Sequence, residues 1–89
     1  LNLEELRFKM GKLYPTDVDT ILNIDLSDAI DGNANLNIFS ISGEKIISFS
    51  KTVAPSEKLS INVSRLSKGL YLCNLKIGQN DTTWKFLKK

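Results

Sequence analysis

Short runs of alternating apolar and polar residues follow one another along most of the sequence, and this alternation constrains the fold more than any other feature. It is clearest in Thr20–Ser27, and it recurs from Leu59 to Val63 and from Tyr71 to Ile77. A period of two is typical of β-strands that are buried on one face and solvated on the other. Gly, Asn, Asp, Ser and Pro separate the runs, and no stretch after Thr20 has a helical period. The pattern predicts an all-β chain of about seven strands.

The spacing L-x-x-G-x-Y predicts how two of these strands connect. Leu66, Gly69 and Tyr71 stand in the order typical of a tyrosine corner, where the chain crosses between the two sheets of a β-sandwich. We expect the Tyr71 ring to be buried and its hydroxyl to donate to backbone near Leu66 or Ser67. Gly43, within the tripeptide S-G-E, favours the positive φ of a tight hairpin. These features predict an immunoglobulin-like antiparallel β-sandwich.

The chain length suits one small domain, which we assign to residues 1–89. With 89 residues, of which 42% are hydrophobic, the core of such a domain is thin. At its start, Leu6, Phe8 and Met10 alternate as in a strand, the interpretation we favour, but a helical turn or a linker within residues 1–12 stays open. No apolar run approaches the roughly 20 residues of a membrane helix, and the first residues lack the pattern of a signal peptide.

Composition argues against several classes of function. Twelve basic and ten acidic residues give a net charge of +2, too little and too scattered for a nucleic-acid surface. The chain has no histidine, which removes Ser-His and Cys-His catalysis and most zinc sites. Cys73 lies within an apolar strand pattern, and we interpret it as a small buried hydrophobe. We therefore expect neither an enzyme nor a cofactor.

The acidic residues raise the question of a calcium site. The spacing of these residues does not match the EF-hand loop. Asp28 and Asp31 stand in a turn, where an aspartate side chain bonds to its own backbone. We expect no metal at these positions, which are Asp17, Asp19, Asp25, Asp28 and Asp31.

The terminal sequence WKFLKK combines aromatic and basic residues. We expect Trp84 and Phe86 to face the core, while Lys85, Lys88 and Lys89 remain in water. One interpretation is an edge strand whose lysines discourage sheet-to-sheet aggregation. The other is a recognition tail. The residues alone leave both open.

Several short motifs occur in a fixed order from Leu13 to Lys89. Together they resemble the type A C-terminal sorting domain of the type IX secretion system, also called the Por secretion system. The motifs are L-Y-P at 13–15, L-N-I at 22–24, I-S-G-E-K-I at 41–46, I-N-V-S-R-L at 61–66, G-L-Y-L at 69–72 and K-F-L-K-K at 85–89.

The resemblance implies an immunoglobulin-like domain fused to the C-terminus of an exported cargo. Such a domain passes through the periplasm, the translocon of the outer membrane recognises it, and a sortase-like peptidase then removes it and joins the cargo to an anionic lipopolysaccharide at the cell surface. Lys85, Lys88 and Lys89 would contact the translocon, and the last strand would offer the edge to which a partner adds a strand. The alternative is an adhesive or carbohydrate-binding module of a surface protein. The isolated domain could also form a homodimer.

Overall fold

The structure of the protein is a computed structural model, and it describes residues 11–26 and 32–89. These residues form eight strands, and no helix in them is long and apolar enough to cross a membrane. The all-β prediction is confirmed. The strands are β1 (Gly11–Tyr14), β2 (Asp17–Val18), β3 (Ile21–Leu26), β4 (Gly32–Ser40), β5 (Lys45–Val53), β6 (Lys58–Asn62), β7 (Gly69–Ile77) and β8 (Asn80–Lys88).

The strands form two sheets that face each other as an immunoglobulin-like sandwich. The small sheet has the order β1-β3-β6, and the large sheet has the order β2-β8-β7-β4-β5. All neighbours are antiparallel except β2 and β8, which are parallel. The sequence predicted only antiparallel pairs. It missed β2 because a strand of two residues is too short to show alternation.

The core lies between the sheets and consists of the residues that the period-two pattern places inward. Leu22, Ile24 and Leu26 of β3 are buried against Leu36 and Ile38 of β4 and their neighbours. The alternate positions of β7 are buried as well, as the sequence predicted, and they are Tyr71, Cys73, Leu75 and Ile77.

A tight hairpin joins β4 to β5. Gly43 has a φ of 95°, and its N–H donates to the carbonyl of Ser40 at 2.9 Å. The Ser40 N–H in turn donates to the carbonyl of Glu44 at 2.8 Å. Positive φ favours glycine, as the sequence predicted for this position. A β-bulge follows in the ladder, where the register shifts between Ile38 and Phe39.

Two predictions concern residues outside the described part of the chain. They are the N-terminal alternation of Leu6, Phe8 and Met10 and the turn that contains Asp28 and Asp31. Within the described part, β1 ends at Tyr14, immediately before Pro15, and the Tyr14–Pro15 peptide bond is cis. After Pro15 the chain leaves the small sheet and joins the large sheet through β2.

Candidate functional site

The last strand, β8, lies between β7 and β2 in the large sheet. Its C-terminal end is covered, because the Leu87 N–H donates to the carbonyl of Thr16 at 2.7 Å and the Lys89 N–H donates to the carbonyl of Val18 at 2.9 Å. The interpretation of the last strand as a free edge is therefore wrong for this end. The cause is β2, whose pairing no sequence pattern indicated.

The tyrosine corner fixes β8 from the core side. The Tyr71 hydroxyl donates to the carbonyl of Ser67 at 2.7 Å, which is the hydrogen bond that the L-x-x-G-x-Y spacing predicts. Leu66 is buried beside the corner, and Gly69, with a φ of 149°, begins β7. The Tyr71 ring stacks on Phe86, with 5.6 Å between the ring centroids. This stack holds the register of the two strands, since Tyr71 and Phe86 are directly paired.

The core-facing side of β8 includes Trp84, Phe86 and, at the end of the strand, a lysine. Phe86 is 1% exposed, and Trp84 packs against the core while partly buried. Lys88 is only 9% exposed, and its ammonium donates to the main-chain oxygen of Lys89 at 2.8 Å. The expectation that Lys88 remains in water is therefore wrong. Residues 84, 86 and 88 share one face of a strand, so the lysine stem lies along apolar surface while its ammonium reaches a main-chain oxygen.

The opposite side of β8 belongs to an exposed apolar and basic surface, which we call the terminal face. Leu70 is paired with Leu87, Leu72 with Lys85, and Phe39 with Leu72. Leu70 is 44% exposed and Leu87 is 37% exposed. A shallow cavity of about 180 Å³ opens beside them and is lined by Thr16, Asp17, Leu70, Lys85, Phe86 and Leu87. The terminal face comprises Phe39, Leu70, Leu72, Lys85 and Leu87.

Lys85 of the terminal face and the neighbouring Lys89 provide basic groups at this end of β8. Lys85 and Lys89 are exposed, and neither forms an ion pair with another residue of the described part of the chain. An apolar surface with an unpaired cation can bind a partner that offers apolar side chains and a carboxylate or another anion. The sequence predicted the lysines but missed Leu70 and Leu87. The available signal was that apolar residues occupy both parities of these two strands, as in G-L-Y-L and K-F-L.

The remaining chemistry of the described residues is sparse. Burial raises the pKa of the Cys73 thiol to about 12, so this thiol stays protonated and enclosed. Residues 11–26 and 32–89 contain no group of three or more His, Cys, Asp or Glu side chains placed to hold a metal ion. Asp25 instead accepts a hydrogen bond of 2.9 Å from the Tyr14 hydroxyl.

The fold and the terminal face define a small immunoglobulin-like domain with a surface for recognition. Residues 12–89 match the family described as the secretion system C-terminal sorting domain. The chain therefore belongs to this family, the sorting domains of the type IX secretion system, and the resemblance of its motifs is confirmed. No curated protein matches the sequence.

Family membership fixes the general role of the chain. It is a C-terminal sorting signal for secretion, which implies handling by the type IX secretion system, a fused cargo and export toward the outer membrane or the cell surface. The family is one of sorting signals and not of catalysts.

Proposed function

We propose that the outer-membrane translocon recognises this domain through its terminal face and its C-terminal lysines while an N-terminal cargo is still attached. The observation that carries the proposal is the two-sided construction of β8. Phe86 holds one side in the core, while Lys85 and Leu87 stand exposed on the other. A strand fixed in this way presents its outer side chains on an ordered backbone, so that binding requires little further ordering of the backbone.

Each side chain has a distinct part in this recognition. Leu70 and Leu87 supply apolar area that a partner can cover. Lys85 and Lys89 steer an acidic partner and set its orientation, since exposed charges contribute more to association rate and specificity than to affinity. Lys88 acts indirectly: its ammonium donates to the main-chain oxygen of Lys89 and so positions this residue.

The later steps follow the pattern of the family. The domain crosses the periplasm with its cargo, a sortase-like peptidase removes it after passage, and the cargo is joined to an anionic lipopolysaccharide at the cell surface. In this proposal the domain contributes no catalysis. Its one cysteine is buried and its thiol pKa is raised, which is consistent with a domain that is acted upon.

The test is export of a fluorescent reporter that carries a signal peptide in front and this domain behind, in a host that has the type IX secretion system. Lys85→Gln combined with Lys89→Gln removes both exposed charges of the site. Lys12→Gln combined with Lys58→Gln is the matched control, because these lysines are also exposed and lie on the other sheet, on β1 and β6. We expect the site variant to retain the reporter in the periplasm and the control to export it.

The thermal midpoints of the variants and the export by the unmodified domain show whether a loss of export reflects recognition. The thermal midpoint of both double variants should equal that of the unmodified domain, since exposed charges contribute little to stability. Undiminished export of the Lys85/Lys89 variant would contradict recognition through these lysines. Failure of the unmodified domain to export the reporter would contradict the sorting role of this chain as a whole.

A further inference from the structure

The edge of the large sheet opposite to β2 is not covered by any further strand of the described residues. Strand β5 has one hydrogen-bonded neighbour, β4, among the described strands, and β6 ends the small sheet in the same way. Strand β5 is nine residues long, so its outer side presents a row of backbone N–H and C=O groups to a second strand. An inward-pointing charged side chain is one of the features by which proteins protect such an edge.

Strand β5 has that protection in its C-terminal half only. Lys51 is paired with Ala34, a buried residue, so its side chain is on the core-facing side of the sheet, where it forms a 2.5 Å ion pair with Glu57. In the N-terminal half, Ile47 and Phe49 occupy the same side, and both are only partly buried. No charged residue lies in this half, from residue 46 to residue 50, and its ladder with β4 is regular from Ile47 onward, after the bulge at Ile46.

A groove adjoins the unguarded half. It has a volume of about 630 Å³ and is lined by Ile46, Ile47, Asn62, Ser64, Arg65 and Leu66. The Asn62 side chain is already engaged, since its oxygen accepts hydrogen bonds from the backbone and the hydroxyl of Ser64. Arg65 is exposed, and its guanidinium takes part in none of the ion pairs or hydrogen bonds within the described residues. The groove thus combines an apolar wall with a cation that has no partner in residues 11–26 and 32–89.

We propose that an extended segment of a partner protein adds to β5 along residues 47–50, with apolar side chains at alternate positions and a carboxylate that pairs with Arg65. The apolar side chains would cover Ile47 and Phe49, and the backbone would bond to the open edge. A second copy of β5 is a poor occupant, because its sequence KIISFSKTV brings two lysines and no carboxylate to Arg65. This site lies at the opposite edge of the large sheet from the terminal face, and it does not depend on the function proposed above.

Fluorescence anisotropy with short synthetic peptides tests the pairing. The probes are labelled peptides of about eight residues, long enough for an average strand. Val alternates with Thr in every peptide, and each peptide of the series has a single Glu in place of a different Thr. We expect binding that depends on the Glu position, and the best peptide should weaken about fivefold when its Glu becomes Gln. Arg65→Gln should weaken the Glu peptide by the same factor and leave the Gln peptide unchanged, because in this proposal the carboxylate and the guanidinium act only on each other. Lys12→Gln, on β1, is the control and should change nothing.

Backbone methylation tests strand addition itself. In an added strand only alternate residues bond to the edge, so one of two peptides that are N-methylated at alternate positions should lose binding and the other should keep it. Ile47→Lys, which extends the protection given by Lys51, should abolish binding while circular dichroism shows a folded domain.

Several results would overturn the proposal. They are no binding by any peptide of the Glu series, equal effects of the two methylation patterns, or an Arg65→Gln effect that is independent of the peptide carboxylate. Sedimentation that shows a dimer sensitive to Ile47→Lys would assign the edge to a second copy instead.

Discussion

The two edges of the large sheet differ in how their outermost strands are covered and packed. At one edge, β2 bonds to the end of β8, and the stacked rings of Tyr71 and Phe86 fix β8 from the core. At the other edge, β5 ends the sheet, and its aromatic residue, Phe49, is only partly covered. The first edge therefore displays side chains from a fixed strand, whereas the second offers backbone groups. One small sandwich can in this way present two surfaces with different chemistry.

The largest expected loss of stability comes from replacing the phenylalanine near each edge. Phe86→Ala removes a ring that is 1% exposed, and it should lower the free energy of unfolding by about 3–5 kcal/mol. Phe49→Ala removes a partly buried ring, and we expect about half that loss or less. Urea denaturation followed by circular dichroism measures both.

A domain of this size has a limited reserve of stability, so Phe86→Ala could leave little folded protein. Phe86→Leu and Phe49→Leu then serve as the milder pair, and the order of the two losses should be the same. Equal losses at the two positions would show that both edges are equally well packed, against the contrast drawn above.

A smaller effect tests the corner that holds β8. Tyr71→Phe keeps the stacked ring and removes only the hydroxyl that donates to Ser67, so it should cost about 0.5–1.5 kcal/mol. Tyr14→Phe is the matched control, because its hydroxyl bonds to Asp25 in an exposed position and should contribute less. If the urea midpoint of Tyr71→Phe equals that of the unmodified domain, the corner does not stabilise the covered edge.

Alternation and turn chemistry were enough to predict most of the fold. The inward residues of β3 and β7 follow from the period of two, and the Tyr71 hydrogen bond follows from a local spacing. These features are encoded within about ten residues of chain, and the physical cause acts at the same short range. The positive φ of Gly43 belongs to the same class.

The candidate site was harder to predict, because it depends on contacts between distant segments. Leu70 and Leu87 form one surface only through the pairing of β7 with β8, and Asp17 reaches it only through the parallel pairing of β2. Lys88 shows the opposite case. Its parity with Trp84 and Phe86 was visible in the sequence, but the usual solvation of lysine outweighed it in the prediction. The open edge of β5 also needed the strand order, which alternation does not encode.

The smallest effect concerns the guarded half of the open edge and depends on pH. The hydrogen bond from Lys51 and then that from the Ala54 N–H lower the pKa of Glu57 below its ordinary value of 4.5. A carboxyl whose pKa is lowered by folding stabilises the folded state above its unfolded pKa, and this contribution disappears as the pH falls through the lower folded pKa.

Glu57→Gln keeps the acceptor for Ala54 and removes the charge, so the variant should be slightly less stable than the unmodified domain at pH 7. The gap between their urea midpoints should close as the pH falls below about 4.5, and it should narrow at high salt, because the pair is accessible to solvent. Glu44→Gln, in the exposed hairpin, provides the control for a carboxylate that forms no ion pair with a described residue. A gap that widens in acid would contradict the assigned sign, and it would mean that the Lys51–Glu57 pair does not hold the protected half of β5.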